Sequence, residues 1–184
     1  MAVALAKSIE NQNKERQALV QKITAEALAI AQTPENQIHQ TLVLAQSGWH
    51  EGVLGIVASH VVEQTGKPTL VLNIDEATGL AKGSGRSVAA YHLFKALDAK
   101  RSLLTHFGGH HMAVGLTVAV DQLAALQTAM DQYASQQQLD LTAKQPLAVD
   151  LALNLTEITP DLYQAFQQLA PFGNDLPNPR FEVE

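Results

Sequence analysis

Apolar and polar positions follow two different periods along this chain, and the changes of period mark its elements. Residues 2–32 contain neither Gly nor Pro and are dominated by Ala, Leu, Lys, Glu and Gln, which predicts one long helix. Val20, Ile23, Ala27 and Ile30 recur at helical spacing, whereas Glu10 to Gln17 is polar on every face. Such a helix either packs an amphipathic face on its own core or, where polar all round, bridges domains through solvent. We favour a connector, because the chain enters the helix with no preceding structure, and we expect a piece cut from something longer. Thr41 to Ala45 then reads as a buried strand, broken at Ser47-Gly48. Glu51 to Gln64 is a helix with Val53, Val57 and Val61 on one side, capped at Gly66 with Pro68 two residues on. Thr69 to Ile74 is a second buried strand, and Asp75 to Gly79 a turn. Leu80 to Arg86 pairs back as a hairpin strand ending in a glycine loop.

Short helices are predicted at Tyr91 to Leu97 and again at Ser102 to His106, then an apolar strand at Ala113 to Val120. Asp121 is placed to cap a further helix whose core stripe is Leu123, Leu126, Met130 and Tyr133. Strands joined by helical crossovers, with one hairpin, predict an α/β fold with a mixed β-sheet flanked by helices. The pattern restarts after Gln136 to Gln138. Leu147 to Leu155 is a weakly alternating strand, Pro160 to Leu169 a helix, and Pro171 to Pro179 a loop. Arg180 to Glu184 opens a strand with no partner left in sequence, which suggests a truncated β-rich segment. The expected division is residues 1–37 as connector helix, 38–140 as the α/β domain, and 141–184 as the start of a further domain.

Composition narrows the function classes. Apolar residues make up 46% and charged residues 16% of the 184, as in a folded soluble protein, and no apolar run reaches membrane-spanning length. The early polar stretch is unlike a signal peptide, so a cytoplasmic protein with no membrane partner is the default. The absence of cysteine excludes disulfides and thiolate metal sites. A net charge of -6 argues against a simple non-specific DNA coat. Yet residues 49–115 are near neutral and hold six of the seven histidines, so basic and imidazole groups concentrate where the glycine motifs lie.

Three constellations carry chemistry. The first is Gly83-Ser84-Gly85-Arg86-Ser87, beside Lys82. Two glycines let a backbone turn tightly and offer N–H groups to an anion, and Arg86 can grip two phosphate oxygens. The helix after this loop would aim its positive end at the same place. The plainer reading is an ordinary Gly/Ser turn with a surface arginine. The second is Gly108-Gly109-His110-His111, in which glycine permits close approach of a ligand and His110 can donate to a phosphate oxygen. Adjacent histidines without a nearby carboxylate argue against a metal site here. The third is Trp49-His50-Glu51 at a strand-to-helix junction, where the only Trp could stack on a base or simply pack. His60 could face the same cleft, and His92 and His106 read as packing or surface residues.

Taken in order and spacing, GWHEGVLGIVASH, KGSGRS and HFGGHHMAVGL resemble the DHH-associated domain of RecJ-type exonucleases, a family that degrades single-stranded DNA from the 5′ end. The match covers about residues 41–135; the N-terminal helix resembles the family's connector, and LAPFGNDLPNPRFEVE resembles the entry to its OB-fold domain. The resemblance implies a parent enzyme of DNA repair and recombination, with Mn2+ or Mg2+ held by a DHH domain and none by these residues. It implies single-stranded DNA and that DHH domain as partners. It implies substrate contacts at Gly83 to Ser87 and at Gly108, Gly109 and His110, with Arg86 and His110 on terminal phosphates. The family often has arginine where this chain has His60, and His111 after the GGH step is unusual. The isolated chain is accordingly expected to have no nuclease activity. Rival readings are a phosphoesterase of the same superfamily acting on short RNA or nucleoside phosphates, and a non-catalytic nucleic-acid-binding module. The PFG…NPRF tail argues against the first and the GWHEGVLGIVASH segment against the second.

Overall fold

A computed structural model describes residues 2–139, 141, 148–173 and 176–183. The chain divides into two compact units, Met1–Lys144 and Gln145–Glu184. The first unit is built on a five-stranded mixed sheet. Its strands are β1 (Leu42–Ser47), β2 (Thr69–Asp75), β3 (Leu80–Arg86), β4 (Leu104–Gly109) and β5 (Ala113–Ala119), in the order β1-β2-β3-β5-β4. β1 runs parallel to β2 and every other pairing is antiparallel, as the mixed-sheet expectation requires. The helices are α1 (Ala2–Ala31), the single turn α2 (Pro34–Gln37), α3 (Leu54–Thr65), α4 (Leu93–Asp98) and α5 (Leu123–Gln136).

Strand alternation divides the interior into two cores. Leu70 and Leu72 of β2, Ala81 of β3, and Val114, Leu116 and Val118 of β5 face α4 and α5, where they meet Leu93, Leu97, Leu126 and Met130. Leu42 and Leu44 of β1 and Val71 of β2 face the other way, onto Val57 and Val61 of α3 and Val20, Ile23 and Ala27 of α1. The last turns of α1 are thus part of the domain core, whereas Leu5 and Ile9 in its first half are exposed. Among the described residues, none of β3, β4 or β5 belongs to the core beneath α1 and α3. On that half α3 still lies over β3, through Gly55 and Arg86, while β5 and β4 contribute nothing to this core among the described residues.

Local signals explain most boundaries. Gly66 ends α3 with φ +70, and its N–H bonds the Val62 carbonyl at 2.8 Å. The Asp75–Gly79 turn closes on a 2.9 Å bond from the Gly79 N–H to the Asp75 carbonyl. Four expectations need correction. Gly83 to Arg86 form no loop; they are paired on both sides, to β2 and to β5. Ser102 to His106 is not helical: a 3-10 turn at Arg101–Leu103 gives way to β4, which exists because β5 supplies its hydrogen-bond partner. Asp121 makes no capping bond, because a 3-10 turn at Val120–Gln122 intervenes and α5 begins with Gln122 as an N-cap that makes no side-chain bond. Finally, the C-terminal strand has a partner.

That partner lies in the second unit. Its β6 (Leu151–Leu153) and β7 (Phe181–Val183) pair in parallel, Leu151 opposite Phe181. The strand expected over Leu147 to Leu155 is shorter: residues 148–150 are not strand, Leu155 opens a 3-10 turn, and residue 147 lies outside the described residues. The helix α6 (Pro160–Gln167) starts as its sequence dictates, with Thr159 Oγ1 accepting from the Leu162 N–H and Pro160 in the first turn. The Phe166 and Phe181 rings pack 4.8 Å apart.

Candidate nucleic-acid interface

This half of the sheet face is set out by register. One row across the sheet runs Asn73, Lys82, Thr117, His106; the next runs Val71, Ser84, Gly115, Gly108; the third runs Thr69, Arg86, Ala113. Directly opposed residues share a face, so Lys82, Ser84 and Arg86 line up with Thr117, Gly115, Gly108 and His106 on the side that α3 occupies. Ala81 and Gly85 of β3 are buried on the opposite side, among Leu70, Leu93 and Val114. A hollow of about 370 Å³ is lined by Lys82, His106, Gly108, Gly115 and Thr117.

Arg86 is the best-held cation of this surface. Its Nη1 donates to the Gly85 carbonyl at 2.8 Å, and its Nη2 lies where a side chain at Gly55 would begin, 2.8 Å from that Cβ position. Gly55 of α3 therefore makes room for the guanidinium. Lys82 pairs with Glu51 at 2.8 Å, between two largely exposed side chains. His50 is exposed, and its Nδ1 accepts from the Gly52 N–H, which starts the turn leading into α3. His60 is half-buried further along α3.

The glycine–histidine turn closes the same end of the sheet. Arg86 pairs with Ala113, whose carbonyl accepts from the His110 N–H at 2.8 Å. Gly109 has φ +149, and an added Cβ there would collide with the Ala113 carbonyl oxygen, so glycine is demanded by the turn itself. The two motifs thus arrive on neighbouring strands, although no hydrogen bond joins the Arg86 and His110 side chains among the described residues. His110 is exposed, with Nδ1 accepting from the Met112 N–H at 3.3 Å. His111 is turned to the other side and stacks on His92, ring centroids 4.5 Å apart. Desolvation, then the neighbouring His111 and Lys95, hold His92 below its ordinary pKa.

Two sequence-based candidates are placed elsewhere. Trp49 is 2% exposed in the core under α1, its indole N–H donating to Glu26 at 2.8 Å, so it cannot stack on a ligand. Ser87 is buried and its hydroxyl donates to the Tyr91 carbonyl at 2.7 Å, a bond that shapes the entry to α4. The glycine loop expected to cradle an anion is strand, and its amides serve the sheet. At the start of α4 the Lys95 N–H donates to His92 Nδ1 and the Leu93 N–H to the His111 carbonyl. Conversely, sequence reasoning passed over His106 and Thr117. The signal was present: Gly115 and Thr117 alternate with the apolar Val114, Leu116 and Val118, which marks their face as the unsealed one.

Comparison with known proteins places this geometry in a family. Residues 18–136 match the model of the DHHA1 domain, and residues 149–184 that of the RecJ OB domain. The chain is 38% identical over 184 residues to the single-stranded-DNA-specific exonuclease RecJ of Bacillus subtilis strain 168, covering all of this chain and 23% of the relative. It is 30% identical over 189 residues to that of Escherichia coli strain K12, covering 98% of this chain and 32% of the relative. Among solved structures, RecJ from Thermus thermophilus in complex with Mn2+ superposes with a TM-score of 0.76 at 26% identity, covering 98% of this chain and 26% of that one. The same protein in complex with Mg2+ gives 0.74 at 26% identity, with 96% and 26% covered. A DHHA1 domain followed by RecJ OB sequence defines the class, and the chain belongs to the RecJ family. It spans between about a quarter and a third of the length of these curated relatives.

Proposed function

We propose that this chain is the nucleic-acid-binding part of a single-stranded-DNA-specific 5′→3′ exonuclease acting in DNA repair and recombination in the cytoplasm. It would present the substrate phosphate to a DHH domain outside these 184 residues. In this reading residues 1–37 connect, 38–140 bind the strand, and 141–184 open an OB-fold domain. The observation that carries it is the half-bare sheet face, where Arg86, Lys82 and Ser84 stand in one line beside the Gly109-His110 turn. The names of the relatives support the substrate class. Arg86 grips phosphate oxygens through its planar fork, and Ser84 and His110 add donors. Such contacts position a phosphate without reading a base, as sequence-independent binding of a single strand requires.

Among the described residues no group of three or more His, Cys, Asp or Glu is placed to hold a metal ion. In this reading the DHH domain holds the Mn2+ or Mg2+, and this chain's own groups bind and orient. No described helix is long and apolar enough to cross a membrane.

Arg86→Ala tests the reading. A partly desolvated Arg–phosphate contact is worth about 1.5–3 kcal/mol, so oligonucleotide affinity should fall roughly tenfold or more. Arg86→Lys should recover only part of it, since the two-pronged geometry is lost. Unchanged affinity in the alanine variant, measured by fluorescence anisotropy, would contradict the assignment.

A further inference from the structure

We propose that His106 and Thr117, together with Lys82, form a second line of contacts to the single strand. The nucleic acid then runs beside α3 and crosses β5 and β4 at right angles, over the bare backbone of Gly115 and Gly108. This deepens the reading above and rests on it. Lys82, Thr117 and His106 occupy one register row on three neighbouring strands. Strands lie about 4.8 Å apart, so the row spans about 10 Å. Lys82 and His106 are exposed, and Thr117 is half-buried, so two nitrogen-bearing side chains and a hydroxyl face outward together. Glu51 tethers one end of the row by its 2.8 Å contact with Lys82.

Two residues along the strands, about 6.8 Å away, the face drops to bare backbone at Gly115 and Gly108. Beyond it stand Arg86 and the His110 turn. The face is therefore a trough with donors on both sides. Its floor is glycine for a reason outside the fold. An added Cβ at Gly108 would meet nothing within 4 Å, and at Gly115 only the Gly83 carbonyl at 4.0 Å. Gly83 and Gly109, by contrast, would run into backbone. Glycine weakens a strand and commonly marks close approach by a ligand. A sugar or base laid flat on this floor brings its phosphates within reach of the Lys82–Thr117–His106 row. The strand then leaves over the outer edge of β4.

The test uses the 184-residue chain and a fluorescent, 5′-phosphorylated oligothymidylate, with affinity read by anisotropy at several salt concentrations. The double variant His106→Ala/Thr117→Val should bind at least fivefold more weakly. Gly115→Thr should lose at least tenfold while its thermal midpoint stays level or rises, and Gly108→Ala on the edge strand repeats the test with the smallest possible side chain. Suppose the wild-type chain binds and Arg86→Ala weakens it, but all of these variants bind within twofold of wild type. The inference is then overturned and the reading it rests on survives. Failure of the wild-type chain to bind at all overturns both.

Discussion

Arg86 owes its position to a residue on another element. Its guanidinium occupies the space that a side chain at Gly55 would take, so α3 carries a glycine in its first turn although alanine is the better helix former. Gly55→Ala should therefore leave the thermal midpoint level or higher while displacing the guanidinium tip. We expect oligonucleotide affinity to fall by about threefold to tenfold, on the scale of a weakened charge-assisted bond. A raised midpoint with unchanged affinity would show that Arg86 does not act from this position. Residue identity makes Arg86, Lys82 and the Gly-Gly-His step legible in the sequence, because few other side chains offer those donors. It does not settle Trp49. The partner of its indole N–H, Glu26, lies 23 residues upstream on α1, and nothing local distinguishes a packing Trp from a stacking one. Ser87 misleads for the same reason, since the hydroxyl of a Gly/Ser-rich run looks free until Tyr91 is placed beside it.

At the scale of elements, β1 shows how an outer strand is closed. The Gln127 side chain of α5 acts as a short strand: its Oε1 accepts from the Val43 N–H at 2.8 Å, and its Nε2 donates to the Thr41 carbonyl at 2.9 Å. Asp131, one turn on, accepts from both the Thr41 N–H and hydroxyl and meets His39 at 2.6 Å. Side chains thus block further strand pairing on this edge. Asp131→Ala would leave the buried Thr41 donors unpaired, at a cost of about 1–3 kcal/mol. A lower urea midpoint at unchanged slope is the expected result, and a midpoint within error of wild type would contradict it. Elements with a strong local pattern are readable: α1, α3, α5, β2 and β5 fall close to their expected bounds. β4 is not, because its alternation is blunted by Gly108 and Gly109 and its strand state depends on β5. The partner of β7 lies 30 residues upstream in β6, a separation at which sequence pattern carries no pairing information.

Across the whole first unit, the two sides of the sheet differ. Its α4–α5 side is closed by an apolar core, whereas on its other side the apolar core beneath α1 and α3 reaches only β1 and β2, and α3 lies over β3 at Gly55 and Arg86. A chain with net charge -6 can still present Arg86, Lys82 and His106 on one surface, since the acidic excess lies in the flanking segments. The family and the mixed sheet are legible from three ordered motifs. The surface they build is not, because it depends on which strands become neighbours. The most direct measurement of the central claim is a nitrogen–proton correlation spectrum of the 184-residue chain, titrated with 5′-phosphorylated oligothymidylate. The amides of Lys82, Ser84, Arg86, Gly108, Gly109 and Gly115 are expected to shift together, while those of Leu97 and Leu126 on the closed side stay still. Shifts confined to α4 and α5, or none at saturating oligonucleotide, would contradict it.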